Sequence, residues 1–168
     1  MKKKGKTILP RKLSSLIRIA LKDIRKAEAS DKAVVDMSFY FHPNQALDCM
    51  INGNTVYTKE VCVMCAAGSV MAFTLKAKMN GDRNLEPANF PGNHDQLYAI
   101  DALRIGDVLD AALTLGLVKL DEYGDLASES EAKFESFDEP IPEYEVQDPE
   151  PFHKAMEKLQ AKLQKAGL

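Results

Sequence analysis

Fifteen consecutive residues, Val61–Leu75 (VCVMCAAGSVMAFTL), carry no charge. A run of this length has to be withdrawn from water, and the rest of the chain has to cover it. It falls short of the roughly 20 apolar residues of a membrane span. Ala66, Ala67, Gly68 and Ser69 are small and suit a helix against which neighbours pack closely. Lys76 and Lys78 return the chain to solvent with the charge that a helix C-terminus favours. Asn80-Gly81 closes the segment. The run therefore predicts a buried central helix over 61–77, and a buried strand is the second reading.

Other segments are read as the cover. Pro10 can open a helix. After it, Leu13, Leu16, Ile17, Ala20, Leu21, Ile24 and Ala27 repeat at the spacing of one helical face. This predicts a helix over 10–29, ended at Ser30-Asp31. Ala33–Phe41 is rich in β-branched and aromatic residues and reads as a strand or a short buried segment, broken at His42-Pro43-Asn44. Cys49–Ile51 and Thr55–Tyr57 flank Asn52-Gly53-Asn54, which predicts a small β-hairpin. Residues 82–94 read as a loop, followed by two helices over 94–104 and 106–116. Asp148-Pro149-Glu150 marks a helix start. Phe152, Met156, Leu159 and Leu163 then share one face of a helix over 149–166. The expected fold is mainly α: a single domain with a central apolar helix, amphipathic helices around it and a small β-hairpin. Its parts are a flexible basic arm (1–9), a helical core (10–118), an acidic irregular segment (119–148) and a C-terminal helix packed on the core (149–168).

Charge is segregated along the chain. The net value is −3. Residues 1–32 nevertheless carry eleven Lys/Arg against three Asp/Glu, and residues 119–151 carry two against twelve. Such separation points to charged partners or to internal pairing of the two parts. Two contact surfaces follow. The first is the acidic strip Asp121–Glu150, with Glu139, Glu143, Glu145, Asp148 and Glu150 as its contacting residues. It could imitate a nucleic-acid backbone or dock into a basic groove. The second is the basic arm, with Lys2, Lys3, Lys4 and Lys6 leading into Arg11, Lys12, Arg18 and Lys22, which could contact phosphates. That arm has no aromatic interleaving and no Gly-rich phosphate loop. No membrane partner is expected. Arg18, Lys22 and Arg25 interrupt the apolar positions, so a secretory leader is not expected.

No complete catalytic signature is present, and the chain is read as non-enzymatic and without a cofactor. Three cysteines cannot close as a disulfide framework, which favours a reducing compartment. Cys62 and Cys65 have the spacing of a thiol redox pair, but within an apolar run they read as small core residues. Cys49, Cys62 and Cys65, with His42 or His94 as a fourth ligand, could hold zinc. The pattern lacks the second Cys or His pair that makes zinc spacing specific. His42, His94 and His153 read as surface or loop-capping residues. Asp95, Asp101, Asp107 and Asp110 read as solvent-facing or capping carboxylates.

The stretch CVMCAAGSVMAFTL resembles a motif, roughly C-x-x-C-x-A-G-x-V-M-A-x-T-L, of small uncharacterised proteins encoded by tailed bacteriophages and prophages. VVDM at 34–37, QLYAIDALRIGDV at 96–108 and the closing PEPFHKAMEKLQAKL extend the likeness over most of the chain. The resemblance carries no activity. It implies a viral accessory protein in the cytoplasm of an infected bacterium, binding and modulating or inhibiting a host protein. An anti-defence protein such as an anti-CRISPR is one form of this by analogy, with a nucleic-acid-handling complex as target. The alternatives are a nucleic-acid-associated protein using the basic arm and a zinc- or thiol-dependent protein using Cys62 and Cys65. The oligomeric state stays open.

Overall fold

The computed structural model describes residues 9–76, 99, 103, 121–123 and 142–168. Helix α1 runs Leu13–Glu28, and its seven apolar-stripe residues, Leu13, Leu16, Ile17, Ala20, Leu21, Ile24 and Ala27, are all buried. It starts three residues after Pro10, with Lys12 as an N-cap that supplies no side-chain bond. Leu9, the last residue assigned to the arm, is buried in the core.

Strands β1 (Ala33–Val35), β2 (Phe41–Ile51) and β3 (Asn54–Met64) form a sheet in the order β1-β3-β2. β1 runs parallel to β3, with Ala33 opposite Cys62 and Val35 opposite Met64. β2 runs antiparallel to β3, from Phe41 opposite Met64 to Ile51 opposite Asn54. Asn52 and Gly53 both take positive φ, 52° and 80°, as the tight turn between these strands demands. The hairpin is far longer than Cys49–Tyr57. Pro43 does not end β2, because a register irregularity between His42 and Gln45 lets the strand continue past it.

The fold is mixed α/β, so the mainly α expectation is corrected, together with its central helix over 61–77. The charge-free run splits. Val61–Met64 completes β3, Cys65 is extended, α2 occupies Ala66–Ser69, and a π-helical turn covers Val70–Thr74. Val61 and Val63 are buried on one face and the intervening Cys62 is half-buried, a two-residue period hidden inside an apolar run. Burial on both sides removes the polar alternation that would have exposed the strand to a sequence reading.

Gly68 shows why the small residues are there. A Cβ at this position would lie 1.9 Å from the Tyr40 carbonyl oxygen, a backbone atom. The approach lets α2 sit against the start of β2. Asp23, fully buried on α1, accepts hydrogen bonds from the Thr74 hydroxyl and the Lys26 ammonium. It ties the π-helical turn to α1.

Helix α3 (Glu150–Lys165) packs antiparallel to α1. At one end the Ser14 hydroxyl donates to the Leu168 carbonyl; at the other, Arg25 pairs with Glu157 at 2.7 Å. α3 ends with Gly167 at φ 81°, with Leu168 N–H bonded to the Leu163 carbonyl and Gly167 N–H to that of Gln164. Phe152, Met156, Leu159 and Leu163 are buried, as their spacing predicts. The two helices expected over 94–104 and 106–116 lie outside the described residues, apart from Ala99 and Leu103. Both of those are helical; Ala99 is buried and Leu103 packs against the core.

Candidate functional site

The segment 142–149, which leads into α3, is extended and irregular. Glu143, Glu145, Asp148 and Glu150 are all exposed, while Tyr144 turns inward and is half-buried. The alternation Glu143 out, Tyr144 in, Glu145 out is that of an extended chain laid on a surface.

Tyr144 anchors it. Its hydroxyl donates to Glu28 Oε1 at 2.6 Å, across the C-terminal end of α1. The same carboxylate oxygen lies 2.7 Å from His153 Nε2. The Tyr144 ring meets Phe152 edge-on at 5.2 Å between centroids. One carboxylate therefore joins three segments: the end of α1, the start of α3 and the acidic strip. Burial pushes the Tyr144 phenol well above its ordinary range, and the bond to Glu28 and its charge push the same way.

His153 is buried to 2% exposure. With Nε2 directed at Glu28, its Nδ1 is buried without a hydrogen-bond partner. The surface or loop-capping reading is thus corrected for this histidine. Its place beside Phe152, three residues before Met156, was the available signal: it lies on the apolar side of the helix. Asp148 Oδ1 accepts the Glu150 N–H at 3.3 Å, so this acid serves the helix start although Pro149 is the N-cap residue. Glu139 lies outside the described residues. Asp121, Glu122 and Tyr123 are exposed.

The thiols are not arranged for redox chemistry on a common helix face, as their spacing suggested. Cys62 belongs to β3 and Cys65 precedes α2. Burial pushes the Cys62 thiol up, opposite to the shift that activates a redox cysteine. Cys65 Sγ lies 3.6 Å from the Tyr40 carbonyl and is buried. The zinc set is not brought together either. Cys49 pairs with Tyr57 on β3, five residues from Cys62, roughly 17 Å at the rise of a strand. His42 sits opposite Val63, and His94 lies outside the described residues. Asp95, Asp101, Asp107 and Asp110 also lie outside them.

Lys2, Lys3, Lys4 and Lys6 fall outside the described residues. Arg11, Lys12, Arg18 and Lys22 are exposed on α1 or just before it. Lys12, Ser15 and Arg18 line a cleft of about 210 Å³ with Gln160 and Gln164 of α3. No protein family matches the chain, and no curated protein and no solved structure matches it either.

Proposed function

We propose that the protein is a non-enzymatic accessory protein whose acidic strip docks on a basic surface of a host macromolecule and modulates it. The observation that carries this reading is the exposure of Glu143, Glu145, Asp148 and Glu150 on a segment held down by Tyr144. Anchoring lowers the entropy that a loose acidic linker would lose on binding. Four exposed carboxylates within eight residues suit a surface lined by Lys and Arg. The resemblance of Cys62–Leu75 to phage-encoded proteins supports a host protein as that partner.

The test is affinity capture from bacterial lysate with and without nuclease, using the chain and its Glu143→Lys, Glu145→Lys, Asp148→Lys, Glu150→Lys variant. One nuclease-resistant protein lost with the variant is the expected result. Capture unchanged by the four reversals refutes the strip as the contact. Capture that vanishes with nuclease moves the function to the second reading, in which the cleft beside Lys12 and Arg18 contacts phosphates. In that case Arg18→Ala weakens binding and flattens its salt dependence.

A further inference from the structure

The cleft of about 210 Å³ lies where the first turns of α1 meet the last turns of α3. Lys12, Ser15 and Arg18 line one wall at three-residue spacing, and Gln160 and Gln164 line the other. No Asp or Glu side chain lines it. Lys12 and Arg18 form no ion pair among the described residues. Other cations of these two helices do have carboxylate partners: Arg25 has Glu157, Lys26 has Asp23 and Lys154 has Glu150. Leu168 also borders the cleft, but its carbonyl accepts from the Ser14 hydroxyl and is engaged within the protein. Gln160 Nε2 donates to Gln164 Oε1 at 3.5 Å, which leaves the Gln164 side-chain nitrogen with both N–H groups to give. The recess thus gathers two cations, a hydroxyl and an amide donor around a space that no carboxylate side chain borders.

We propose that this cleft binds the phosphate group of a small phosphomonoester, with Lys12 and Arg18 on its charge, Ser15 donating to it and Gln164 meeting the polar remainder of the molecule. Charge selects the group. A phosphomonoester carries close to two negative charges at neutral pH, which balance the two cations, whereas a carboxylate or a phosphodiester brings one. The guanidinium of Arg18 suits two phosphate oxygens at once. Size selects the ligand. Pockets for drug-sized molecules start at about 300 Å³, so this one takes a phosphate with a short polar body. Nucleic-acid strands are tracked along extended basic grooves, and two cations in a small recess match a single phosphate better. The site is independent of the acidic strip, so it stands whether or not the strip docks on a partner.

Isothermal titration calorimetry on the full chain tests it, with ribose 5-phosphate, inorganic phosphate, ribose, acetate and a single-stranded oligonucleotide without terminal phosphates as probes. Ribose 5-phosphate is expected to saturate one site with a Kd of about 1 mM or tighter. Inorganic phosphate should bind more weakly, and ribose and acetate not at all. Lys12→Gln and Arg18→Gln should each weaken ribose 5-phosphate by about tenfold. Gln164→Leu should weaken ribose 5-phosphate and leave inorganic phosphate unchanged. Binding should also weaken as pH falls below about 6, where the phosphate loses its second charge. Lys12, Arg18 and Gln164 are exposed, and circular dichroism checks that the variants fold. Absence of saturable binding by ribose 5-phosphate overturns the proposal, and so does binding indifferent to both cation substitutions. An oligonucleotide that binds more tightly through Lys12 and Arg18 also overturns it, and assigns the cleft to a nucleic-acid backbone.

Discussion

Replacing Glu28 with alanine removes the single oxygen that accepts from Tyr144 and faces His153 Nε2. Hydrogen bonds to a charged group contribute about 1.5–3 kcal/mol each. The Glu28 side chain is 25% exposed, so water recovers part of that and the lower end of the range applies. His153 would then have no partner at either nitrogen, since Nδ1 has none already. The expected loss is about 2 kcal/mol, less than the gross sum because the new space admits water to Nε2. For a chain of this size that corresponds to a fall in Tm of about 4–8 °C. Tyr144→Phe deletes only one of the two bonds and should cost about 1 kcal/mol. The double variant should lose less than the two single losses added together, by about 1 kcal/mol, because both substitutions delete the same bond. Thermal and urea unfolding of the four proteins give the cycle, and hydrogen exchange at residues 143–147 reports the strip directly. Faster exchange in both single variants is expected. Additive losses with unchanged exchange would falsify the view that Glu28 and Tyr144 together anchor the strip.

Three further outcomes follow from the same packing. The Tyr144 phenol is raised in the folded state, so its contribution to stability is complete below the ordinary phenol value of about 10 and is lost as pH rises above it. Alkaline unfolding should therefore begin at lower pH in the native chain than in Tyr144→Phe once both are normalised to neutral pH, and identical profiles would refute the assignment. Gly68→Ala should destabilise by about 3 kcal/mol or prevent folding, since the added carbon meets a backbone carbonyl that cannot rotate aside; soluble expression and Tm measure it, and a neutral result would mean that α2 does not sit against Tyr40. Asp23→Ala should cost about 2 kcal/mol by freeing the Thr74 hydroxyl and the π-helical turn, whereas Lys26→Ala, at a half-exposed partner, should cost well under half as much in the same urea titration.

The parts of the fold legible in the sequence are those whose surroundings are asymmetric. α1 and α3 each have one wet and one dry side, and the spacing of Leu16, Ile24, Phe152 and Leu163 records it. The Asn52-Gly53 turn was legible because positive φ restricts residue choice at two adjacent positions. Around the candidate site, the acidic residues of the strip stood out by charge, but their anchor did not. Tyr144 lies in a segment without periodicity. Its partners Glu28 and His153 come from helices far away in the chain, and no local rule pairs them.

What the sequence determined by itself was the amphipathic helix pair, the turn of the hairpin and the segregation of charge, all set by neighbours within a few residues. Tertiary structure decided the rest. It made Val61–Met64 a strand by placing β1 and β2 on either side of it, where the same apolar residues in isolation would satisfy a helix equally well. It buried Asp23 and His153, polar residues that a sequence places at the surface, by bringing acceptors and donors to them from distant segments. A buried polar group is stable only beside a hydrogen-bond partner, and here Thr74 for Asp23 and Glu28 for His153 come from far away in the chain.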